Sequence, residues 1–265
     1  MKERWILENK ILQPLGNKGL KFLYLIRSAM IGIDNLVDNN GCTAEYFLRI
    51  KKLIETAWEK GRFRARNDYE AKLVSAIRIL REFYNEGYLQ TYNIFRDLLR
   101  GYEAEFEWAS HRNRILRSEK IKKLNTDIGS EVVTIFINSQ ISKPTAPKIL
   151  REIVQKYGLA IKMADNLSSF YTDILEGFVT IPRENIDNVN GLIIKKDKLV
   201  GLDEKKMEIN KKFVFEQQKE TMKVYQEANQ TLDKNRKRFG LTKRQVQLFK
   251  KWAFSWFRDM MEELK

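Results

Sequence analysis

One cysteine, one histidine and four prolines among 265 residues are few, and each scarcity removes a class of function. The lone Cys42 cannot build an intrachain disulfide framework and suits a reducing compartment. The lone His111 leaves no histidine-based zinc site and no conventional Ser-His-Asp triad. Any chemistry therefore falls to carboxylates, hydroxyls, lysines and arginines. No stretch approaches the roughly 18 to 20 consecutive apolar residues that span a bilayer. Lys2, Glu3, Arg4, Glu8 and Lys10 interrupt the start, so no signal-peptide core is read there and a cytoplasmic chain is expected.

Scarce proline, only 13 glycines and long 3.6-residue apolar periodicity predict an all-α protein. The pattern places helices near residues 18–38, 43–60, 66–85, 87–109, 117–139, 145–175, 207–239 and 242–263. Thr43 with Tyr46 after it reads as the start of the second. Residues 187–206 are the least helical, and their apolar clusters around Lys195-Lys196-Asp197-Lys198 read as a loop in preference to a hairpin. A composition 43% hydrophobic and 32% charged fits one core, hence a single domain over residues 1–265.

The formal charge of +14 suggests an anionic partner: nucleic acid, an acidic membrane surface or a phosphorylated small molecule. A lysine-rich proteome gives the same balance with no functional content. The basic residues are spread over most helices and match no nucleic-acid-binding pattern, so nucleic acid is not expected. Near the end, Phe249, Trp252 and Trp256 share a helical stripe with basic neighbours. That stripe can pack on a bundle or lie peripherally on an anionic membrane, and packing is the commoner use of aromatic stripes.

Residues 157–186, YGLAIKMADNLSSFYTDILEGFVTIPRENI, hold the densest chemistry. Asp165, Ser169 and Asp173 recur at steps of four, which stacks three oxygen-bearing side chains on one helix face suited to a hard cation. Gly177 and Pro182 end the helix. Asp34 and Asp38, also four apart, close a strongly apolar run over residues 20–33. A hydrophobic helix ending in two acids suggests a dry cavity with a charged mouth.

Together these stretches resemble the squalene/phytoene synthase family. DNLVD, residues 34–38, looks like its first aspartate-rich motif, DDxVD, with the outer aspartates kept and Asn35 in second place. IFRDLLRGYEAEF, residues 94–106, resembles its FxDLIxGMxxDL helix, and residues 128–133 its small-residue step. The Gly177-to-Pro182 spacing and the Glu184-Asn185-Ile186 that follows also match, and the likeness covers residues 20–260. There are departures. Asp165, Ser169 and Asp173 stand where the family has Asn, Asp and Asp. Lys162 replaces Gln, Phe178 replaces Arg, Thr180 replaces Tyr, and Met30, Ile31 and Gly32 occupy the area just before the first motif where the family has an arginine. Asp, Ser and Asp at steps of four is similar to the second metal motif of class I terpene cyclases.

The resemblance implies an isoprenoid-synthase-type helical bundle around a central apolar cavity. It implies magnesium, three ions with bound diphosphate, held by Asp34, Asp38, Asp165, Ser169 and Asp173, with Asp34, Asp38, Asp165 and Asp173 as the catalytic set. A prenyl diphosphate, farnesyl or geranylgeranyl, is the implied substrate, condensed head to head or cyclised. Lys162, Tyr171 and Arg183 are the expected substrate contacts. NADPH is not expected, although the sequence leaves the use of a reductant open. The alternative is a non-catalytic relative acting as a partner or assembly protein.

Overall fold

The structure, a computed structural model, describes residues 2–40, 43–88, 90–141 and 147–263. It bears out the all-α expectation. Ten α-helices run in order: α1 (Lys2–Leu12), α2 (Gly16–Asn40), α3 (Ala44–Lys60), α4 (Asp68–Asn85), α5 (Thr91–Ser110), α6 (Ser118–Asn138), α7 (Pro147–Ser168), α8 (Phe170–Leu175), α9 (Lys211–Asn235) and α10 (Lys243–Glu263). Four short strands, β1 (Val189–Asn190), β2 (Leu192–Lys195), β3 (Lys198–Leu202) and β4 (Glu208–Ile209), lie between α8 and α9. None of the described helices is long and apolar enough to cross a membrane.

Helix boundaries follow local chemistry. Thr43 accepts a hydrogen bond from the Tyr46 amide and Asn67 one from the Glu70 amide, each satisfying an orphan donor in the first turn of α3 or α4. Gly61, at φ 68°, ends α3 in the left-handed conformation that favours glycine. The aromatic stripe of α10 is core: Phe249 and Trp252 are buried, and Trp256 is partly so.

Three expectations are revised. An N-terminal helix, α1, precedes the first one predicted. The long helix over 145–175 is interrupted at Ser169 between α7 and α8, beside the Ser168 hydroxyl, which donates to the Asp165 carbonyl at 2.8 Å. Such back-bonding competes with the helical ladder and bends helices. Residues 187–206 are not a loop but two small antiparallel pairings, β2 with β3 and β1 with β4. The β2–β3 turn sits on Lys196 and Asp197, at φ 51° and 60°, the left-handed pair of a type I′ hairpin.

One continuous apolar cluster draws buried side chains from every helix except α8. A second, with Phe170, Ile174, Val179, Ile181, Leu199 and Phe213 among its members, ties α8 and the hairpins to the start of α9. Two glycine crossings bring helices unusually close. A side chain on Gly129 of α6 or Gly158 of α7 would collide with the other's backbone, and one on Gly32 of α2 would strike the Tyr69 ring of α4.

Candidate functional site: an apolar cavity with a charged mouth

A cavity of about 310 Å³ lies inside the bundle, walled by α1, α2, α3, α5, α6 and α10. Leu23, Ile26, Met30 and Ile33 form its α2 wall, while Phe47, Phe106, Phe136 and Trp256 supply aromatic faces. Contacts along the helices give it two ends. Phe47 stacks on Phe106 at 4.1 Å, near where α2 hands over to α3, so the end of α2 and the last half of α5 share one end of the bundle. On α6, Glu131 lies against Gly101 and Phe136 stacks near Trp252, five residues towards the other end.

The deep end is polar. Glu8, 4% exposed at its side chain, pairs with Arg27 and accepts a hydrogen bond from the Trp252 indole at 3.3 Å. Burial raises the Glu8 carboxyl above its ordinary value, against the pull of Arg27, Trp252 and Arg4.

The opposite end is where the predicted residues of α7 and α8 gather. Lys162 is 2.7 Å from the Asp165 carboxylate, one helical turn along. Ser169 donates to the Asp173 carboxylate at 2.8 Å. Glu105 of the cavity wall acts electrostatically on Lys162, which links this cluster to the cavity, although Asp165, Ser169 and Asp173 do not themselves line it. Burial alone would lower the Lys162 ammonium, but Asp165, Glu105 and Asp173 outweigh it and hold it above the usual lysine range. Burial, with Asp165 and Glu176 nearby, raises the Asp173 carboxyl to about 6, opposed by Lys162 and Ser169. The local fold explains the arrangement. Phe170 and Ile174 of α8 are buried in the second apolar cluster, which turns the intervening Asp173 towards α7. The Gly129–Gly158 crossing presses α7 onto α6, and Asn166 donates to Asn125 at 3.1 Å to set the register.

The other predicted residues disperse. The side chains of Asp34 and Asp38 lie outside the described residues. Their backbone belongs to the last turns of α2, at the Phe47–Phe106 end. Tyr171 is half exposed, edge-on to Phe170 at 5.5 Å. Arg183 pairs with Asp197 of the hairpin turn at 3.1 Å and so faces the strands. Phe178 carries the Arg112 guanidinium over its ring at 4.7 Å, so an arginine stands beside that position, delivered by a different segment. Sequence reasoning missed the cavity carboxylates Glu8, Glu105 and Glu131. Their one legible signal was Gly101, whose missing side chain makes room for Glu131.

The oxygen donors can be tested against magnesium, which takes octahedral oxygen ligation at 2.0–2.1 Å and so sets neighbouring ligands about 3 Å apart. The 2.8 Å between Ser169 Oγ and Asp173 Oδ2 matches such a neighbouring pair. The carboxylate and hydroxyl chemistry fits the ion too. Asp165 is turned to Lys162 instead, and no group of three or more Asp, Glu, His or Cys among the described residues is placed to hold a metal. Ser169 and Asp173 are joined by a hydrogen bond and do not by themselves make a metal site. Comparison of the chain with known protein families, with characterised proteins and with solved structures finds no match.

Proposed function

We propose that the protein is a magnesium-dependent class I isoprenoid synthase that ionises an allylic prenyl diphosphate. The observation that carries this reading is an aromatic and aliphatic cavity with a charged cluster of Lys162, Asp165, Ser169 and Asp173 beside it. An amphiphile with an anionic head and an isoprenoid tail matches both parts.

Ser169 and Asp173, joined by Asp34 and Asp38 from the end of α2, would hold the metal. Magnesium, when bound, supplies Lewis-acid neutralisation of charge developing on the diphosphate. The chain's own residues do the rest. The Lys162 ammonium offers a fixed positive charge to the diphosphate oxygens and leaves the Asp165 carboxylate to orient it. The apolar walls keep water from the carbocation, and the faces of Phe47, Phe106, Phe136 and Trp256 attract it. Incubation of the purified chain with labelled geranyl, farnesyl and geranylgeranyl diphosphates, with and without Mg²⁺, tests the reading. Diphosphate release that requires the metal is expected. No release from any of the three would sink it.

A second reading, a non-catalytic partner or assembly protein of the same fold, is favoured by one observation: Lys162 already neutralises Asp165, where a catalytic site would present a bare carboxylate. It predicts that prenyl diphosphates bind without turnover, or not at all.

A further inference from the structure

Away from the central cavity, a second cleft of about 210 Å³ opens between α6, α7, the first half of α9 and the segment over residues 180–185. It occupies its own face of α7. Each residue turns about 100° around a helix, so Asn166 and Phe170 of the cleft stand one step round from Asp165 and Ser169 of the charged cluster. We propose that this cleft binds one small neutral molecule by the edge of a cyclic amide, at a site independent of the prenyl-diphosphate reading.

Two buried side-chain amides carry the recognition. Asn125 and Asn166 are 4% and 6% exposed, and both line the cleft. Two amides that face each other can exchange two hydrogen bonds, since each has a donor and an acceptor. Among the described residues only one of the two is made: Asn166 Nδ2 donates to Asn125 Oδ1 at 3.1 Å. A donor, Asn125 Nδ2, and an acceptor, Asn166 Oδ1, are left with no other partner among the described residues, and neither is sealed off from the cleft. Buried polar atoms are rarely left unanswered, because burial without a bond forfeits their hydration.

The fold keeps the two amides in place. The Gly129–Gly158 crossing brings α6 and α7 into backbone contact, and Asn125 lies one turn before Gly129 while Asn166 lies two turns after Gly158. On that side of the crossing the helices are bridged by the two amides in place of backbone contact, and the cleft opens there.

The walls define the rest of the ligand. Leu159, Met163, Leu167, Phe170, Phe213 and Val224 make them apolar, and the space far exceeds the roughly 15 Å³ that one water needs. An apolar cavity of about 150 Å³ takes up benzene, so a ring compound has room here. The two charged side chains of the lining, Lys122 and Glu220, are exposed and opposite in sign, so an ion going deeper would lose hydration with no buried partner. A cyclic amide presents N–H and C=O side by side on one edge of an apolar ring. Its N–H donates to Asn166 Oδ1 and its C=O accepts from Asn125 Nδ2, which completes both amides at once. A carboxylate, with acceptors only, would leave Asn166 Oδ1 unanswered.

Titration of the purified full chain, followed by NMR, provides the test. The probes are 2-quinolinone, a bicyclic amide; its N-methyl derivative, which keeps the carbonyl and loses the donor; and naphthalene, which has neither. One 2-quinolinone per chain is expected, with the other two at least about tenfold weaker, as the lost hydrogen bonds require. The Asn125 side-chain amide protons should move downfield with 2-quinolinone alone. Asn125→Leu combined with Asn166→Leu removes both partners together, strands neither amide, and should keep the fold while bringing the three probes to within about twofold of one another. Should that variant fail to fold, the amide signals of the wild-type chain decide alone. Equal binding of 2-quinolinone and its N-methyl derivative by the wild type, unmoved Asn125 signals, or no binding of 2-quinolinone would overturn the proposal.

Discussion

Two cation–carboxylate pairs, one in the cavity wall and one beside it, differ in how far the carboxylate reaches water. At the deep end Glu8 is 4% exposed and its Arg27 partner 33%, and Trp252 takes the carboxylate's second oxygen. At the mouth Lys162 holds Asp165 with 26% and 38% of their side-chain surfaces exposed. A buried pair cannot lose one partner without stranding a charge, whereas a half-solvated pair hands its lost interaction to water. The same chemistry therefore serves the fold at one end and stays available to a ligand at the other.

The largest effect is expected at the deep end. Glu8→Ala removes the partner of Arg27 and of the Trp252 indole, and, with Arg27 one-third exposed and open to hydration, should lower stability by about 1–3 kcal/mol, read by urea unfolding. A loss below about 1 kcal/mol would erase the contrast between the ends. Next comes Asp173→Asn at the mouth, expected to cut metal-dependent diphosphate release by about 10²–10³-fold while the unfolding midpoint stays put. An intact rate would remove Asp173 from the site, and a collapsed midpoint would give it a structural role.

A smaller effect concerns pH. The folded Glu8 carboxyl is raised, first by burial, against Arg27, Trp252 and Arg4. A raised group contributes stability that is fully present below its unfolded value, near 4.5, and is lost as pH rises through the folded one. Relative to Glu8→Gln, the wild-type protein should therefore gain stability as pH falls from 7 towards 4, and a gain in the opposite direction would contradict the burial of the Glu8 carboxyl. The smallest change is expected for Lys162→Gln. Stability should move by less than about 1 kcal/mol. Freeing Asp165 should raise Mg²⁺ affinity several-fold, measured by titration of the metal alone.

Much of this was legible in the sequence, and the failures share a cause. Bundle helices such as α3 and α6 have apolar residues on one face, and their limits fell within a residue or two of the structure. The helix α1 escaped because its inward stripe includes Arg4 and Glu8 as well as Leu7 and Ile11, so burial there does not follow hydrophobicity. The β2–β3 hairpin escaped because Lys196 and Asp197 hold left-handed positions that usually advertise themselves as Asn-Gly. At the site, the spacing of Asp165, Ser169 and Asp173 was plain, and Ser169 does meet Asp173. The diversion of Asp165 to Lys162 was harder to read, since a lysine three residues earlier can point towards the face or away from it. Glu105 and Glu131 were hidden more deeply, because only the packing of α5 on α6 turns them towards the cavity.

The glycine crossing between α6 and α7 bears on how this molecule can change over time. The charged mouth hangs on α7, and α7 is fixed to α6 through a contact between backbones, with no side chain in between. Helix α3 lines the cavity from the other side of the bundle, whereas α10 packs directly on α7 through Phe249 and Tyr157, 4.9 Å apart. Substitutions on α3 can therefore reshape the cavity at little cost to the Lys162–Asp173 cluster, whereas those on α10 reach α7 and carry through to it.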